Sequence, residues 1–195
     1  MPTPRIAPLE PPYDPEIAES LAKWMPPGSR MEPLKLFRTL MRNPEISSRL
    51  RALGAGILGP RSLIAPRDRE IVIDRTAALC GCEYEWGVHA VAFGETVGLT
   101  PEALRATAAG AANDPVWSER DALLVRLADE LHHTAHVSDP LWTALAAHWD
   151  TAQLIELLII AGAYHVIAYV ANGAQVALED WAARFPESGA PPADV

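Results

Sequence analysis

Apolar residues recur along the chain at intervals of three, four and seven positions, the spacing that places them on one face of an α-helix. Two such sets are Leu34, Phe37, Leu40 and Met41, followed by Ile46, Leu50, Leu53 and Ile57. No stretch shows the sustained alternation of apolar and polar residues that is typical of a half-buried β-strand. The pattern therefore predicts an all-α domain, a single helical bundle.

Prolines and capping residues predict where the helices begin. Six prolines lie in the interior of the chain, at positions 44, 60, 66, 101, 115 and 140, and all fall outside the apolar periodic stretches. Proline is tolerated in a first helical turn because its missing N–H would have no partner there. Thr100-Pro101 and Ser118-Glu119 are typical helix starts, and Asp150 is expected to cap a long apolar helix that runs to Glu179.

The remaining prolines divide the chain of 195 residues into three parts. Nine of the 18 prolines fall in residues 1–33 and three follow residue 185. We expect residues 1–33 to form a proline-rich N-terminal arm with a short helix, residues 34–183 the helical domain, and residues 184–195 a flexible C-terminal tail. A domain of this length is large enough to bury its own core.

Composition and charge narrow the class of protein. Hydrophobic residues make up 49% of the chain and charged residues 21%, as in a packed globular protein, and the formal net charge is −9. An acidic chain without a basic cluster is expected to bind neither nucleic acid nor an anionic membrane as its main partner. The N-terminus lacks the apolar core of a secretory signal, and Cys80 and Cys82 stand too close together for a disulfide framework, which predicts a cytoplasmic protein.

The segment Leu154–Ala171 approaches the length needed to span a membrane. It contains Glu156 and His165, and no lysine or arginine lies between Arg126 and Arg184 to anchor it at the two interfaces. We therefore expect a helix buried on all sides, within the subunit or between subunits, and no membrane association.

Reactive side chains are concentrated in one segment, RDREIVIDRTAALCGCEYEWGVHA. Cys82, Glu85 and His89 are spaced i, i+3 and i+7, on one face of a helix. A carboxylate four residues before an imidazole can orient the ring and raise its basicity. A break at Gly81 would place Cys82 in the first helical turn, where the helix N-terminus favours a thiolate, and would let the chain turn so that Glu70 reaches the same place.

The same residues also have an ordinary structural interpretation. Cysteine is commonly buried in helical cores, and a Glu–His pair at i, i+4 is often no more than a solvated surface pair. Spacing alone does not decide between these interpretations.

The stretch from about Leu34 to Glu179 resembles the carboxymuconolactone decarboxylase-like superfamily, which includes the alkyl hydroperoxidase D proteins. The resemblance rests on RDREIVIDRTAALCGCEYEWGVHAVAFGETVGLT and secondarily on QLIELLIIAGAYHVIAYVAN. It implies a helical bundle of the alkyl hydroperoxidase D type and a homo-oligomer, often a trimer or hexamer. The peroxidase branch carries a glutamate, eleven residues, CxxC, three residues and a histidine, which match Glu70, Cys82 and His89, with Glu85 in place of the second cysteine.

The missing second thiol leaves three hypotheses for function. The first, which Glu85 favours, is a cofactor-free acid–base lyase, a decarboxylase of a small carboxylated or lactone-like metabolite. His89 would be its proton donor, Glu85 or Glu70 would orient that ring, and Cys82 would line the pocket without reacting. The second is a thiol-dependent alkyl hydroperoxide reductase that uses Cys82, and the third is a catalytically silent scaffold or binding protein.

Further residues are candidates for the pocket or for a metal. Tyr84 and Trp86 are expected in the pocket wall or in packing, and His165 in the same cavity as His89 or in a buried hydrogen bond. A substrate carboxylate would call for an arginine, to be sought among Arg67, Arg69 and Arg75. The cluster His132, His133 and His136 has metal-compatible spacing, but it lies at an expected helix end, where histidines are favourable without an ion, so we expect no metal site.

Overall fold

The computed structural model describes residues 3–26 and 28–186, and over these residues it contains nine α-helices and no β-strand. In chain order they are α1 (Pro15–Ala22), α2 (Lys35–Leu40), α3 (Pro44–Leu58), α4 (Pro66–Leu79), α5 (Glu83–Ala92), α6 (Pro101–Ala109), α7 (Glu119–Thr134), α8 (Asp139–Ala146) and α9 (Thr151–Ala174). The prediction of an all-α fold is confirmed.

The helix starts follow the capping residues of the sequence. Five helices carry proline in their first turn, namely α1, α3, α4, α6 and α8. The side chains of Thr100, Ser118 and Asp150 accept hydrogen bonds from the first-turn N–H groups of α6, α7 and α9. These local signals work because each satisfies a backbone donor that has no partner inside the helix.

The end of α9 differs from the sequence-based prediction. The helix ends at Ala174 instead of continuing to Glu179, because Gln175 adopts a left-handed conformation with φ of 53°. The N–H of Val176 then bonds the carbonyl of Ala171 at 2.9 Å, a closure typical of helix C-termini. Since Val176 and Leu178 remain apolar, the pattern of the sequence does not mark this stop.

The central element of the bundle is α4, which packs against α5, α6, α7 and α9. Every residue from 68 to 77 is buried, including charged ones. Most of these charged residues have partners: Asp68 accepts from Arg120 at 2.6 Å, and Arg75 donates to Asp129 at 2.6 Å. A helix covered on all sides in this way positions its polar residues rigidly, which matters for the site below.

The two ends of the chain contact the helical domain where they are described. Arg5 donates its backbone N–H to the carbonyl of Ala174, and Arg38 binds the carbonyl of Leu9. Phe185, in the segment expected to be a tail, donates its N–H to Glu83. Residues 187–195 of that segment lie outside the described residues.

Within the described residues, α9 is the one helix long and apolar enough to cross a membrane, a test that core helices of soluble proteins also pass. It packs on α4 through Leu157 and Ile160, which are fully buried. Its opposite face is exposed in the single chain, with Tyr169 at 68% exposure. The helix is therefore not buried on all sides within one subunit, and its burial between subunits stays a prediction.

Candidate active site

A tight turn between α4 and α5 builds the site. Gly81 has a φ of +60°, a left-handed conformation that glycine adopts without the strain a side chain would impose. The N–H of Cys82 bonds back to the carbonyl of Ala77 at 2.8 Å, so the chain reverses and α5 packs along α4. This reversal brings together Glu70 and His89, which stand 19 residues apart in the sequence.

His89 is the centre of a buried polar network. Its ring is 4% exposed, and Nδ1 donates to Oε2 of Glu70 at 2.7 Å. Nε2 lies 3.3 Å from Oε1 of Glu85 and 3.3 Å from the hydroxyl of Tyr164. Burial by itself would lower the pKa of His89, but the carboxylates of Glu70 and Glu85 overcome that effect and raise it to about 10. The ring is therefore an imidazolium at neutral pH.

Glu70 is the fixed counter-charge of this imidazolium. The residue is fully buried, and its second oxygen accepts from Nε of Arg69 at 2.9 Å. Burial raises the pKa of Glu70, yet the charges and hydrogen bonds of His89 and Arg69 lower it below its ordinary value. Four charged groups thus stabilise one another in the protein interior: the cations of His89 and Arg69 and the carboxylates of Glu70 and Glu85.

Asp74 lies one turn beyond Glu70 on α4 and was missed by the sequence analysis. It is fully buried, and neither carboxylate oxygen has a hydrogen-bond partner among the described residues. Burial raises the pKa of Asp74 well above its ordinary value, which favours the neutral form of the carboxyl group. The signal that points to it is the i, i+4 spacing of Glu70 and Asp74 in an otherwise apolar stretch.

A cavity of about 580 Å³ opens in front of His89. Glu85 and Tyr164 also line it, and most of the remaining wall is apolar. Apolar lining residues from several elements include Trp24, Leu34, Phe37, Leu53, Phe93 and Ile167. The volume lies within the ~300–1,000 Å³ typical of sites for small molecules.

Cys82 does not have the environment that the sequence predicted. It directly precedes α5, as expected, but its side chain is fully buried in an apolar cluster with Leu36, Val88 and Ala168. Burial raises the pKa of the Cys82 thiol to about 12, although backbone N–H groups at the start of α5 lower it in part. The thiolate expectation is therefore wrong, and Cys82 is not among the residues that line the cavity.

Of the two roles expected for Tyr84 and Trp86, the structure shows packing, and the pocket-wall alternative is wrong because neither residue lines the cavity. The hydroxyl of Tyr84 donates to Glu179 at 2.6 Å and accepts from the N–H of Leu36 at 3.0 Å. Nε1 of Trp86 donates to the hydroxyl of Thr107 at 2.9 Å. Both side chains therefore anchor α5 to neighbouring parts of the fold.

His165 also lies apart from the cavity, although Tyr164 beside it lines the wall. Its Nε2 is 3.1 Å from Nδ1 of His132 on α7. The cluster His132, His133 and His136 suggested by spacing does not form within the part of the chain that the structure describes. The group with metal-ligand geometry there is Cys80, His132 and His165.

None of the three candidate arginines lines the cavity. Arg67 donates to the carbonyl of Gly98, Arg75 to Asp129, and Arg69 to Glu70. The cations that do line it are Lys23 and Arg51, together with His89. Sequence reasoning missed them because neither belongs to the reactive segment.

Chemically, the cavity joins an imidazolium, a carboxylate and a phenol hydroxyl at one place in an otherwise apolar wall. An imidazolium in this position can donate a proton to a bound molecule, and its two carboxylate partners keep the ring oriented and charged. The thiols contribute nothing to the wall, since neither Cys80 nor Cys82 reaches it.

Comparison with known proteins identifies a family that part of the chain resembles. Residues 44–127, which include Glu70, Cys82, Glu85 and His89, match the model of the carboxymuconolactone decarboxylase family. No curated protein sequence is significantly similar to the chain.

Solved structures share the fold at low sequence identity. An uncharacterized peroxidase-related protein from Silicibacter sp. TM1040 is 14% identical, with a TM-score of 0.75 over 92% of this chain and 96% of that one. A protein of unknown function from Agrobacterium tumefaciens, related by its description to the antioxidant defence protein AhpD, is 20% identical, with a TM-score of 0.63 over 72% and 94%. The debrominase Bmp8 is 14% identical, with a TM-score of 0.68 over 90% and 92%.

These likenesses establish the fold, and the matched segment contains the buried Glu70–His89 pair. Residues 44–127 match the carboxymuconolactone decarboxylase family, as the sequence resemblance predicted, and the chain shares its fold with a protein described as related to AhpD and with a peroxidase-related protein.

Proposed function

We propose that this protein is a cofactor-free acid–base lyase that decarboxylates a small carboxylated or lactone-like metabolite. One observation carries the proposal: a buried imidazolium, His89, faces an apolar cavity and is held in its charged form by Glu70 and Glu85. Such a group can deliver a proton to a carbanion or enolate without a metal or an organic cofactor.

The proposed reaction begins with a substrate carboxylate in the cavity. Cleavage of the bond between carbon and the carboxylate releases CO₂, and the electron pair of that bond moves into the conjugated lactone carbonyl to give a dienolate. Nε2–H of His89 donates its proton to the dienolate carbon, and the neutral ring then takes up a proton from solvent. Charge is conserved, because one carboxylate and one proton become CO₂ and a neutral product.

The cavity wall favours this step in two ways. Apolar side chains solvate a localised carboxylate poorly, whereas the dienolate spreads the same charge over a conjugated system. The hydroxyl of Tyr164 lies beside Nε2 of His89 and keeps its proton, since burial raises the pKa of Tyr164 well above its ordinary value. It can therefore donate a hydrogen bond to the developing oxyanion. Arg51 and Lys23 supply the positive charge that attracts an anionic substrate.

The burial of Cys82 supports this proposal over thiol-dependent peroxide reduction. A peroxidatic cysteine reacts as its thiolate and must meet the peroxide, whereas Cys82 is fully buried and its pKa is raised to about 12. The retention of a charged network at a cavity argues against a silent scaffold, because buried charges are costly to keep.

The test is a comparison of two substrate classes with two variants. The wild type is assayed for CO₂ release from 4-carboxymuconolactone and related carboxylated butenolides, and for consumption of an alkyl hydroperoxide in the presence of dithiothreitol. We expect decarboxylation that Cys82→Ser leaves within a few-fold of wild type and that His89→Gln slows by about 100-fold or more. If the wild type consumes the hydroperoxide and Cys82→Ser abolishes that activity, the lyase proposal is wrong and the protein is a thiol-dependent peroxidase. If the protein neither converts nor binds either substrate class at millimolar concentration, the catalytically silent scaffold becomes the better hypothesis.

We also propose an oligomeric state and a cellular location for the protein. The exposed apolar residues of α9, among them Ile155, Ile159 and Tyr169, support a homo-oligomer, for which trimers and hexamers are the proposed states. Light scattering coupled to size-exclusion chromatography measures this directly. We further propose a cytoplasmic location, in keeping with two unpaired cysteines.

A further inference from the structure

Three helices bring two histidines and a cysteine together on a side of the bundle away from the cavity. Cys80 follows α4, His132 lies on α7 and His165 lies on α9. Sγ of Cys80 is 3.8 Å from Nδ1 of His132, and Nδ1 of His132 is 3.1 Å from Nε2 of His165. All three atoms lie within 4.8 Å of one another, and all three residues are half-buried.

The two distances from Nδ1 of His132 are close to the edges of a tetrahedron around one zinc ion. With Zn–S and Zn–N bonds of about 2.3 and 2.0 Å, tetrahedral angles give about 3.5 Å between S and N and about 3.3 Å between two N atoms. The observed 3.8 and 3.1 Å differ from these values by only a few tenths of an ångström. The third distance, from Sγ of Cys80 to Nε2 of His165, is within 4.8 Å, so side-chain movements of about 1 Å would bring all three atoms to the bonding distance of one ion.

Neighbouring backbone and side-chain groups already hold two of the three residues in place. Nδ1–H of His165 donates to the carbonyl of Ala161 at 2.8 Å, which leaves the lone pair of Nε2 directed at His132. A ligating histidine usually has such a partner on its other nitrogen, because it fixes the tautomer and the ring orientation. The carbonyl of Cys80 accepts from Nδ2 of Asn172 at 2.9 Å, which fixes the backbone of the cysteine to α9.

We propose that Cys80, His132 and His165 bind one Zn²⁺ ion, with the fourth position open to water or to an exogenous ligand. A thiolate and two imidazoles suit zinc and do not suit Mg²⁺ or Ca²⁺, which prefer oxygen ligands. The site is separate from the proposed lyase site, since Cys80 and His165 do not line that cavity. An ion here would join α4, α7 and α9, so its loss should affect stability and leave the proton chemistry of His89 in place.

The test begins with the full-length protein freed of metal by a chelator and titrated with Zn²⁺ by calorimetry. We expect one ion per chain and a rise of the melting temperature on saturation. Cys80→Ser, His132→Asn and His165→Asn should each weaken binding by about 100-fold or more, beyond the 10- to 100-fold loss typical of removing an outer-shell partner. His133→Asn and His136→Asn are matched controls from the same segment and should bind Zn²⁺ as the wild type does.

Co²⁺ substitution identifies the ligands independently of stability. A tetrahedral site with one thiolate gives intense visible bands and a sulfur-to-cobalt charge-transfer band, which should persist in Cys82→Ser and vanish in Cys80→Ser. Zn²⁺ should also protect Cys80 from alkylation in the Cys82→Ser background. If His165→Asn fails to fold, Cys80→Ser, a near-isosteric change at a half-buried residue, remains decisive. Wild type that takes up no stoichiometric Zn²⁺, binding that Cys80→Ser leaves unchanged, or an octahedral cobalt spectrum would each overturn the proposal.

Discussion

The burial of Cys82 predicts that its thiol is nearly inert in the native protein. With a pKa of about 12, the thiolate fraction at pH 7 is about 10⁻⁵, against about 3% for an ordinary cysteine with a pKa of about 8.5. The concentration of reactive thiolate is therefore about 3,000-fold lower at Cys82 than at an ordinary cysteine. The more basic thiolate is intrinsically a better nucleophile by about 30-fold, so ionisation leaves Cys82 about 100-fold slower than a free thiol. Full burial adds the cost of opening the structure.

Single-cysteine variants measure this effect. Cys80→Ser leaves only Cys82, and Cys82→Ser leaves only Cys80, which is half-buried and serves as the matched control. The second-order rate of reaction with a disulfide reagent is measured at pH 7 for both variants, freed of metal by a chelator, and for glutathione. We expect Cys82 to react at least 100-fold more slowly than glutathione in buffer and at a similar rate in urea. A native rate for Cys82 within about 10-fold of the free thiol would show that burial does not suppress its thiolate, and would favour thiol-dependent chemistry at Cys82.

Three further predictions concern the buried network and the packing of α5. Glu70→Gln should lower the pKa of His89 by about 1–3 units. Its cost in the free energy of unfolding should be largest between about pH 5 and 6.5 and shrink as the pH rises towards 10, because a raised histidine pKa stabilises the fold only while the ring is charged. The cost should also shrink below about pH 4, because the lowered pKa of Glu70 stabilises the fold only while the carboxylate is charged. In the wild type, the free energy of unfolding should fall by about 1.4 kcal/mol per pH unit above about pH 4, because the Asp74 carboxyl ionises in the unfolded chain while the buried one stays protonated. Asp74→Asn should remove this fall, and urea unfolding between pH 4 and 8 measures the slope. Gly87→Ala would place a Cβ 2.1 Å from the backbone carbonyl oxygen of Ala183 and should lower the free energy of unfolding by about 1–3 kcal/mol. In the control variant Gly162→Ala, on α9, the Cβ meets nothing within 4 Å, and the free energy of unfolding should rise by up to about 1 kcal/mol.

The elements that could be predicted from the sequence are those set by local interactions. Thr100, Ser118 and Asp150 cap their helices because each meets a donor only two or three residues away. The end of α9 escaped prediction, since Gln175 adopts a left-handed conformation without a glycine or proline to mark it. Tertiary contacts around Glu179 favour the stop, and these are not visible in a local pattern.

The candidate site could likewise be predicted from the sequence only in part. The turn at Gly81 and the meeting of Glu70 with His89 followed from spacing and from the family resemblance. The state of Cys82 did not follow, because a helix N-terminus favours a thiolate only where water or a charge can reach it. The sequence also does not define which way each residue of α9 faces, and for this reason it left open whether His165 lies in the cavity that Tyr164 lines or forms a hydrogen bond elsewhere, as it does with Ala161.

The protonation state of His89 tests the central claim most directly. Nitrogen NMR of protein labelled in its histidines, with His89→Gln used to assign the signals, reports whether each ring nitrogen carries a proton. The account predicts an imidazolium with both nitrogens protonated at pH 8 and a transition to the neutral ring near pH 10. A neutral His89 at pH 8 would contradict it, because the ring would then lack the proton that the proposed reaction requires.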